Sequence, residues 1–127
     1  MVTFENFIPE DGIPIYIQIL RYIKRGIVSG SIVNGDELPS RRVLSALLGV
    51  NPNTVQKAYR VLEEEGLIDS RLGSKSCVSL SNGKLEAVRS ELIAADAIGV
   101  IKAMKQMGIS KKDAVSLIET YWDKEGL

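Results

Sequence analysis

The sequence predicts a mainly α-helical (α+β) fold, and three observations support this. Apolar residues recur at helical spacing in three successive segments before residue 66. Two short β-type segments, 67–72 and 76–80, then flank a Gly-Ser-Lys turn, which is typical of a β-hairpin. A helical pattern resumes at about residue 84 and extends nearly to the C-terminus. A helix, a helix-turn-helix and a hairpin in this order form a winged helix-turn-helix, which we assign to residues 1–80, with a helical region at 81–127.

The first helix is predicted over residues 14–28. Pro14 suits the first helical turn, because the N–H that proline lacks would have no partner there. Ser29 and Gly30 are expected to end the helix, and Asn34-Gly35 marks a turn. The apolar stripe at helical spacing consists of Tyr16, Ile19, Leu20, Ile23 and Ile27.

Two shorter helices follow with the spacing of a helix-turn-helix. Ser40 is a predicted N-cap for a helix that ends at Gly49. Asn51 is a predicted cap for the next helix, with Pro52 at its first position, and this helix is expected to run to about Glu65. A connection of three residues gives the pair the size of a helix-turn-helix. The buried side of the first of the two is predicted to be Val43, Leu44, Leu47 and Leu48.

The composition limits the possible functions. The chain has 127 residues, one cysteine and no histidine, so it lacks the commonest general base and the commonest transition-metal ligand. There is no phosphate-binding loop motif either, and we predict no enzyme, no metal and no cofactor. A single cysteine, Cys77, together with the absence of a membrane-length apolar run or a signal-peptide pattern, predicts a cytoplasmic protein with no membrane partner.

The helix after Asn51 has two chemically different faces. Its apolar side is expected to pack inward, whereas its other side carries Asn53, Gln56, Lys57 and Arg60. Asn and Gln can pair with adenine, and Lys and Arg with guanine, when a helix enters the major groove. A polar helix face alone is usually only solvated, and the zero net charge counts against nucleic acid. The helix-turn-helix spacing and the hairpin nevertheless favour double-stranded DNA, with phosphate contacts from Arg41, Arg42 and Lys75.

Three runs of residues carry a family pattern: Leu38-Pro39-Ser40-Arg41-Arg42, Leu48-Gly49-Val50-Asn51-Pro52-Asn53-Thr54-Val55 and Leu62-Glu63-Glu64-Glu65-Gly66-Leu67-Ile68. They resemble the GntR family of bacterial regulators, and the match covers about residues 13–80. The Asn-Pro-Asn-Thr-Val run and the short helical tail resemble the YtrA-type subfamily, whose members are dimeric and often control transporter genes. The resemblance implies DNA contacts at Arg42, Asn53, Thr54, Gln56 and, in the wing, Gly73.

The sequence departs from the family pattern at four positions. Many members carry Arg where this chain has Pro52 and Gln56, so its base preference is expected to differ. Lys75 stands where the wing commonly has a second glycine, and we expect it to contact a phosphate instead. Arg41 stands where the family often has Glu, which predicts a more basic edge.

The helices after residue 81 have more apolar surface than one core contact requires, which predicts a homodimer. A dimer would place two recognition helices on a palindromic operator, so the expected function is sequence-specific transcription regulation, with repression expected by family analogy. Two alternatives stay open: an effector-gated regulator with a ligand at the dimer interface, and a winged-helix protein-interaction module. The sequence identifies no effector. The predicted interface consists of Leu85, Val88, Leu92, Ala95, Ile101, Met104, Leu117, Ile118, Tyr121 and Trp122.

Overall fold

The computed structural model describes residues 1–71, 75–81, 83–124 and 126 of the chain. The mainly α fold, with its hairpin and two further helices, is confirmed. The chain divides into two compact units, residues 1–90 and residues 91–127, and α4 runs through the division. The elements in chain order are α1 (Ile15–Ser29), β1 (Glu37–Leu38), α2 (Arg41–Leu48), α3 (Pro52–Glu64), β2 (Ile68–Arg71), β3 (Lys75–Val78), α4 (Lys84–Gln106) and α5 (Lys111–Trp122).

The predicted caps of the helix-turn-helix are confirmed. The Ser40 hydroxyl accepts a hydrogen bond from the Val43 N–H at 3.1 Å, and the Asn51 side-chain oxygen accepts one from the Asn53 N–H at 2.8 Å. Gly49 ends α2 with a φ of 66°, a left-handed conformation that glycine adopts without a side-chain clash. These local features determine where α2 begins and ends and where α3 begins.

The small sheet has three antiparallel strands in the order β1-β3-β2. The sequence analysis missed β1, because a strand of two residues has no alternation to detect. Glu37 and Leu38 pair with Cys77 and Ser76 of β3, which ties the segment before α2 to the hairpin. The hairpin is therefore attached at two places: through the chain connection after α3, and through the pairing of β3 with the segment before α2.

The core of the first unit lies between α1, α2, α3 and the sheet. The predicted inner faces of α1 and α3 are confirmed, since Ile23 and Tyr59, for example, are fully buried. Val2 and Phe4 from the irregular N-terminal segment also join this core, which no periodic pattern indicated. The buried residues of the core are Val2, Phe4, Ile19, Ile23, Ile27, Ile32, Leu38, Leu44, Val55, Ala58, Tyr59, Leu62, Leu67, Ile68, Val78 and Val88.

The prediction for the buried side of α2 was wrong at two positions. Val43 and Leu47 are 50% and 68% exposed, whereas Leu44 is completely buried and Leu48 is partly buried. The four apolar residues form two adjacent ridges of the helix, and α2 has only eight residues. Only the ridge with Leu44 and Leu48 packs against the core, so the neighbouring ridge stays at the surface.

Candidate nucleic-acid interface

The helix α3 is buried on one side and open on the other. Every side chain of its inner face, including Val55 and Leu62, has no exposed surface. Thr54 lies at the margin between the two sides and is half-buried. The structure thus brings the predicted base-contacting residues together on one uncovered surface, called here the reading face. The reading face consists of Asn53, Gln56, Lys57 and Arg60, all of them exposed.

Two cations of the reading face already have weak partners. The Lys57 ammonium lies 4.0 Å from the centre of the Tyr16 ring on α1, which is a cation–π contact. The Arg60 guanidinium lies 4.0 Å from the Glu64 carboxylate one turn later, and both side chains are more than half exposed. Exposed contacts of this kind contribute little free energy, so either cation can exchange its partner for a phosphate or a base.

Two adjacent arginines at the start of α2 have different environments. The Arg42 side chain is exposed and makes no hydrogen bond or ion pair within the part of the chain that the structure describes. The Arg41 guanidinium instead donates to a Glu63 carboxylate oxygen at 2.8 Å and lies over the Tyr59 ring at 5.0 Å. The extra positive charge expected at this edge from Arg41 is therefore offset by Glu63.

The hairpin of β2 and β3, which forms the wing, carries one further residue that was predicted to contact DNA. Lys75 begins β3 directly opposite Arg71 of β2, and its ammonium lies 3.8 Å from the Glu37 carboxylate on β1. Its side chain is 70% exposed, so this ion pair is also a weak surface contact. Gly73, the predicted wing contact, lies outside the described residues.

The sequence analysis did not identify the partners of these cations. Tyr16 was assigned only to the apolar stripe of α1, and Glu63 only to the third run that carries the family resemblance. No local pattern marks either role, because each contact joins residues on different helices, 41 positions apart for Lys57 and Tyr16 and 22 for Arg41 and Glu63.

The surface described so far lies within a segment that matches a known family model. The model for bacterial regulatory proteins of the gntR family matches residues 15–78, from the start of α1 to the end of β3. The chain belongs to the GntR family. The prediction from the sequence is thereby confirmed.

Several bacterial regulators align with this GntR-family chain over most of their own length. It is 38% identical over 90 residues to the HTH-type transcriptional repressor YtrA of Bacillus subtilis, covering 66% of this chain and 69% of YtrA. It is 31% identical over 108 residues to the HTH-type transcriptional regulator YhcF of the same organism, covering 85% and 89%. A solved GntR family transcriptional regulator from Listeria monocytogenes superposes with a TM-score of 0.76 at 32% identity, covering 88% of this chain and 98% of that one. The GntR-family chain is therefore a DNA-binding transcription regulator and not an enzyme.

The described residues contain neither a candidate metal site nor a candidate membrane span. No group of three or more His, Cys, Asp or Glu side chains there is placed to hold a metal ion. No helix in the described part combines the length and apolar character needed to cross a membrane.

The predicted dimer residues of this GntR-family chain differ in exposure. Leu92 and Met104 are half-buried, and Val88 is 8% exposed because it packs into the core of the first unit. The side chain of Val88 is thus already covered within one chain. The exposed members of the predicted set are Leu85, Ala95, Ile101, Leu117, Ile118, Tyr121 and Trp122.

Proposed function

We propose that this regulator represses transcription by binding a palindromic operator as a homodimer, with α3 of each subunit in the major groove. The observation that carries the proposal is the reading face of α3, which is uncovered while the opposite side of the helix is completely buried. A helix supported in this way can enter the groove without rearrangement of its own unit. Its Asn, Gln, Lys and Arg side chains are suited to base edges.

Phosphate contacts at the margins would orient α3 in the groove. Arg42 is available at the start of α2, and Lys75 can exchange Glu37 for a phosphate at the wing. Thr54 and Gly73 complete the contacts that the family resemblance implies. Such contacts add affinity without sequence information and make binding depend on salt.

The apolar surface of α4 and α5 supports the homodimer. In the described part of residues 91–127 no residue is buried, yet ten large apolar side chains are at least 40% exposed. Exposed apolar surface of this extent is unusual for a monomer and is typical of an interaction site. We therefore assign residues 81–127 to dimerisation. The proposed interface consists of Leu85, Leu92, Ala95, Ile101, Met104, Leu117, Ile118, Tyr121 and Trp122.

Repression is supported by the similarity to YtrA of Bacillus subtilis, which is named a repressor. Control of transporter genes follows from the subfamily resemblance alone. Action in the cytoplasm is supported by the DNA partner and by Cys77, whose thiol is free.

A duplex-binding titration tests the proposal. DNA from the region upstream of the protein's own gene is titrated at 50 mM and 200 mM salt, two values that span about three decades of affinity for a protein with six phosphate contacts. We expect tight binding that weakens with salt and that is lost in the double variant Arg42→Ala with Lys57→Ala. The double variant Lys111→Ala with Lys112→Ala is the control, because it removes the same charge from the start of α5.

Equal and weak binding by all three proteins, on this duplex and on random genomic fragments, would contradict operator binding. That result would favour the protein-interaction module. Loss of binding in the Lys111 and Lys112 variant as well would show that net charge, and not the reading face, determines affinity.

The substitution Glu64→Gln is expected to tighten DNA binding roughly threefold at low salt, a size typical of one exposed ion pair. It removes the carboxylate that competes with phosphate for Arg60, and the gain should shrink as salt rises. The control is Glu65→Gln, which removes the same charge one position later but releases Lys24 on α1. An equal gain in both variants would contradict a specific contact of Arg60 with DNA.

A further inference from the structure

A closed polar cluster joins α2, α3 and both strands of the hairpin. We call it the Arg41 cluster, and it consists of Arg41, Glu63, Ser70 and Ser76. One Glu63 carboxylate oxygen accepts hydrogen bonds from the Arg41 guanidinium at 2.8 Å and from the Ser70 hydroxyl at 2.6 Å. The Ser70 and Ser76 hydroxyls are 2.7 Å apart, and the Arg41 guanidinium donates to the Ser76 hydroxyl at 3.4 Å. Each member thus contacts two others.

The burial of the cluster makes it costly to open. Ser76 is 5% exposed, and the Arg41 and Glu63 side chains are about two-thirds covered. The Nε of Arg41 is buried and has no hydrogen-bond partner among the described residues, and the guanidinium carbon lies over the Tyr59 ring. Turning the guanidinium outward to a phosphate would leave the Glu63 carboxylate without its cation in a half-buried place, which is unfavourable.

The position of the cluster in the hairpin indicates what it controls. Ser70 and Ser76 face each other across β2 and β3, and the next pair toward the turn is Arg71 with Lys75. The cluster therefore fastens the hairpin, one residue pair from its turn end, to the last turn of α3 and to the first turn of α2. These bonds join the hairpin directly to the helix that carries the reading face.

We propose that Arg41 is a positioning residue and not a DNA contact. Through Glu63 and the two serines, it holds the hairpin at the angle at which the wing and the reading face meet the same stretch of DNA. This inference rests on the proposed function, because it assumes that both surfaces bind one duplex. Without the cluster, the pairing with β1 and the buried Ile68 and Val78 still hold the hairpin, but the orientation of its turn end must be fixed upon binding, and that ordering lowers affinity.

The neighbouring arginines provide a matched comparison. Arg42→Gln removes an exposed guanidinium, and we expect the slope of log K against log salt to fall by about one, as for one lost phosphate contact. Arg41→Gln is expected to weaken binding about tenfold, the size of a lost hydrogen bond to a charged group, with the slope unchanged.

The variant Glu63→Gln distinguishes a positioning role of the Arg41 cluster from a simple effect of charge on DNA binding. Removal of a negative charge next to DNA would by itself tighten binding, whereas loss of the cluster is expected to weaken it about tenfold. The double variant Arg41→Gln with Glu63→Gln is expected to bind as each single variant does, because both changes break the same unit. Footprinting should show loss of protection at the operator flanks, where the wing binds, and retained protection at the centre.

The experiment measures all four variants on the operator duplex over a series of salt concentrations, with circular dichroism to check folding. Ser70→Ala is added because it opens the cluster without changing any charge, and it carries the test if Arg41→Gln does not fold. A slope that falls equally in Arg41→Gln and Arg42→Gln, or tighter binding by Glu63→Gln, would overturn the inference. Wild-type protein that shows no salt-dependent binding would instead overturn the proposed function, and the inference with it.

Discussion

The substitution Tyr59→Ala is expected to lower the free energy of unfolding by about 3–5 kcal/mol, the range for truncating a large aromatic residue in a core. Tyr59 is the largest of the fully buried side chains and lies at the middle of the inner face of α3. Its hydroxyl donates to the Pro39 carbonyl at 2.7 Å, and burial raises the pKa of this hydroxyl, so the bond persists at alkaline pH values where an exposed tyrosine ionises. The truncated side chain would leave a cavity on the inner side of α3, beneath the reading face. Operator binding should therefore be lost as the fold is destabilised.

Urea unfolding at fixed protein concentration measures this effect, since the stability of an oligomer depends on concentration. Tyr59→Phe is the control, because it keeps the ring and removes only the hydrogen bond to Pro39, at a cost of about 1 kcal/mol. An unfolding midpoint for Tyr59→Ala equal to that of the wild type would contradict the assignment of Tyr59 to the core.

The substitution Ile101→Glu is expected to produce monomers and to weaken operator binding by about 100-fold. Ile101 is 51% exposed within one chain, so the new carboxylate costs little in a monomer. In the proposed dimer it would be buried without a partner, which is strongly unfavourable. A monomer also loses the high effective concentration of the second recognition helix at the second half-site, an effect worth about 100-fold or more.

Sedimentation velocity gives the mass, and the duplex titration gives the affinity. Leu47→Glu is the matched control, because it places the same charge on an apolar residue that is 68% exposed on α2, outside the proposed interface. We expect this control to keep the dimer mass. A dimer mass for Ile101→Glu would show that α4 does not form the interface.

The helices could be predicted from the sequence because their signals are local. Ser40, Gly49, Asn51 and Pro52 act on backbone groups within a few residues of themselves, so the limits of α2 and α3 were predicted almost to the residue. The polar and apolar sides of α3 were equally clear, because they follow from its helical period.

The errors of the sequence analysis concern long-range contacts. Val43 and Leu47 are as apolar as Leu44, and only the position of α2 on the core decides which ridge is covered. The strand β1 was missed because its two residues form a strand only through their pairing with β3.

The sequence by itself determined the fold class, the family and the helix that carries the reading face, because caps, periodicity and motifs act over a few residues. The tertiary structure decided the roles of individual charges on that surface. Arg41 and Arg42 are chemically identical neighbours, yet one is paired with Glu63 and the other is open to solvent. The physical reason is that an ion pair depends on distance in space, and the fold brings together residues that lie far apart along the chain.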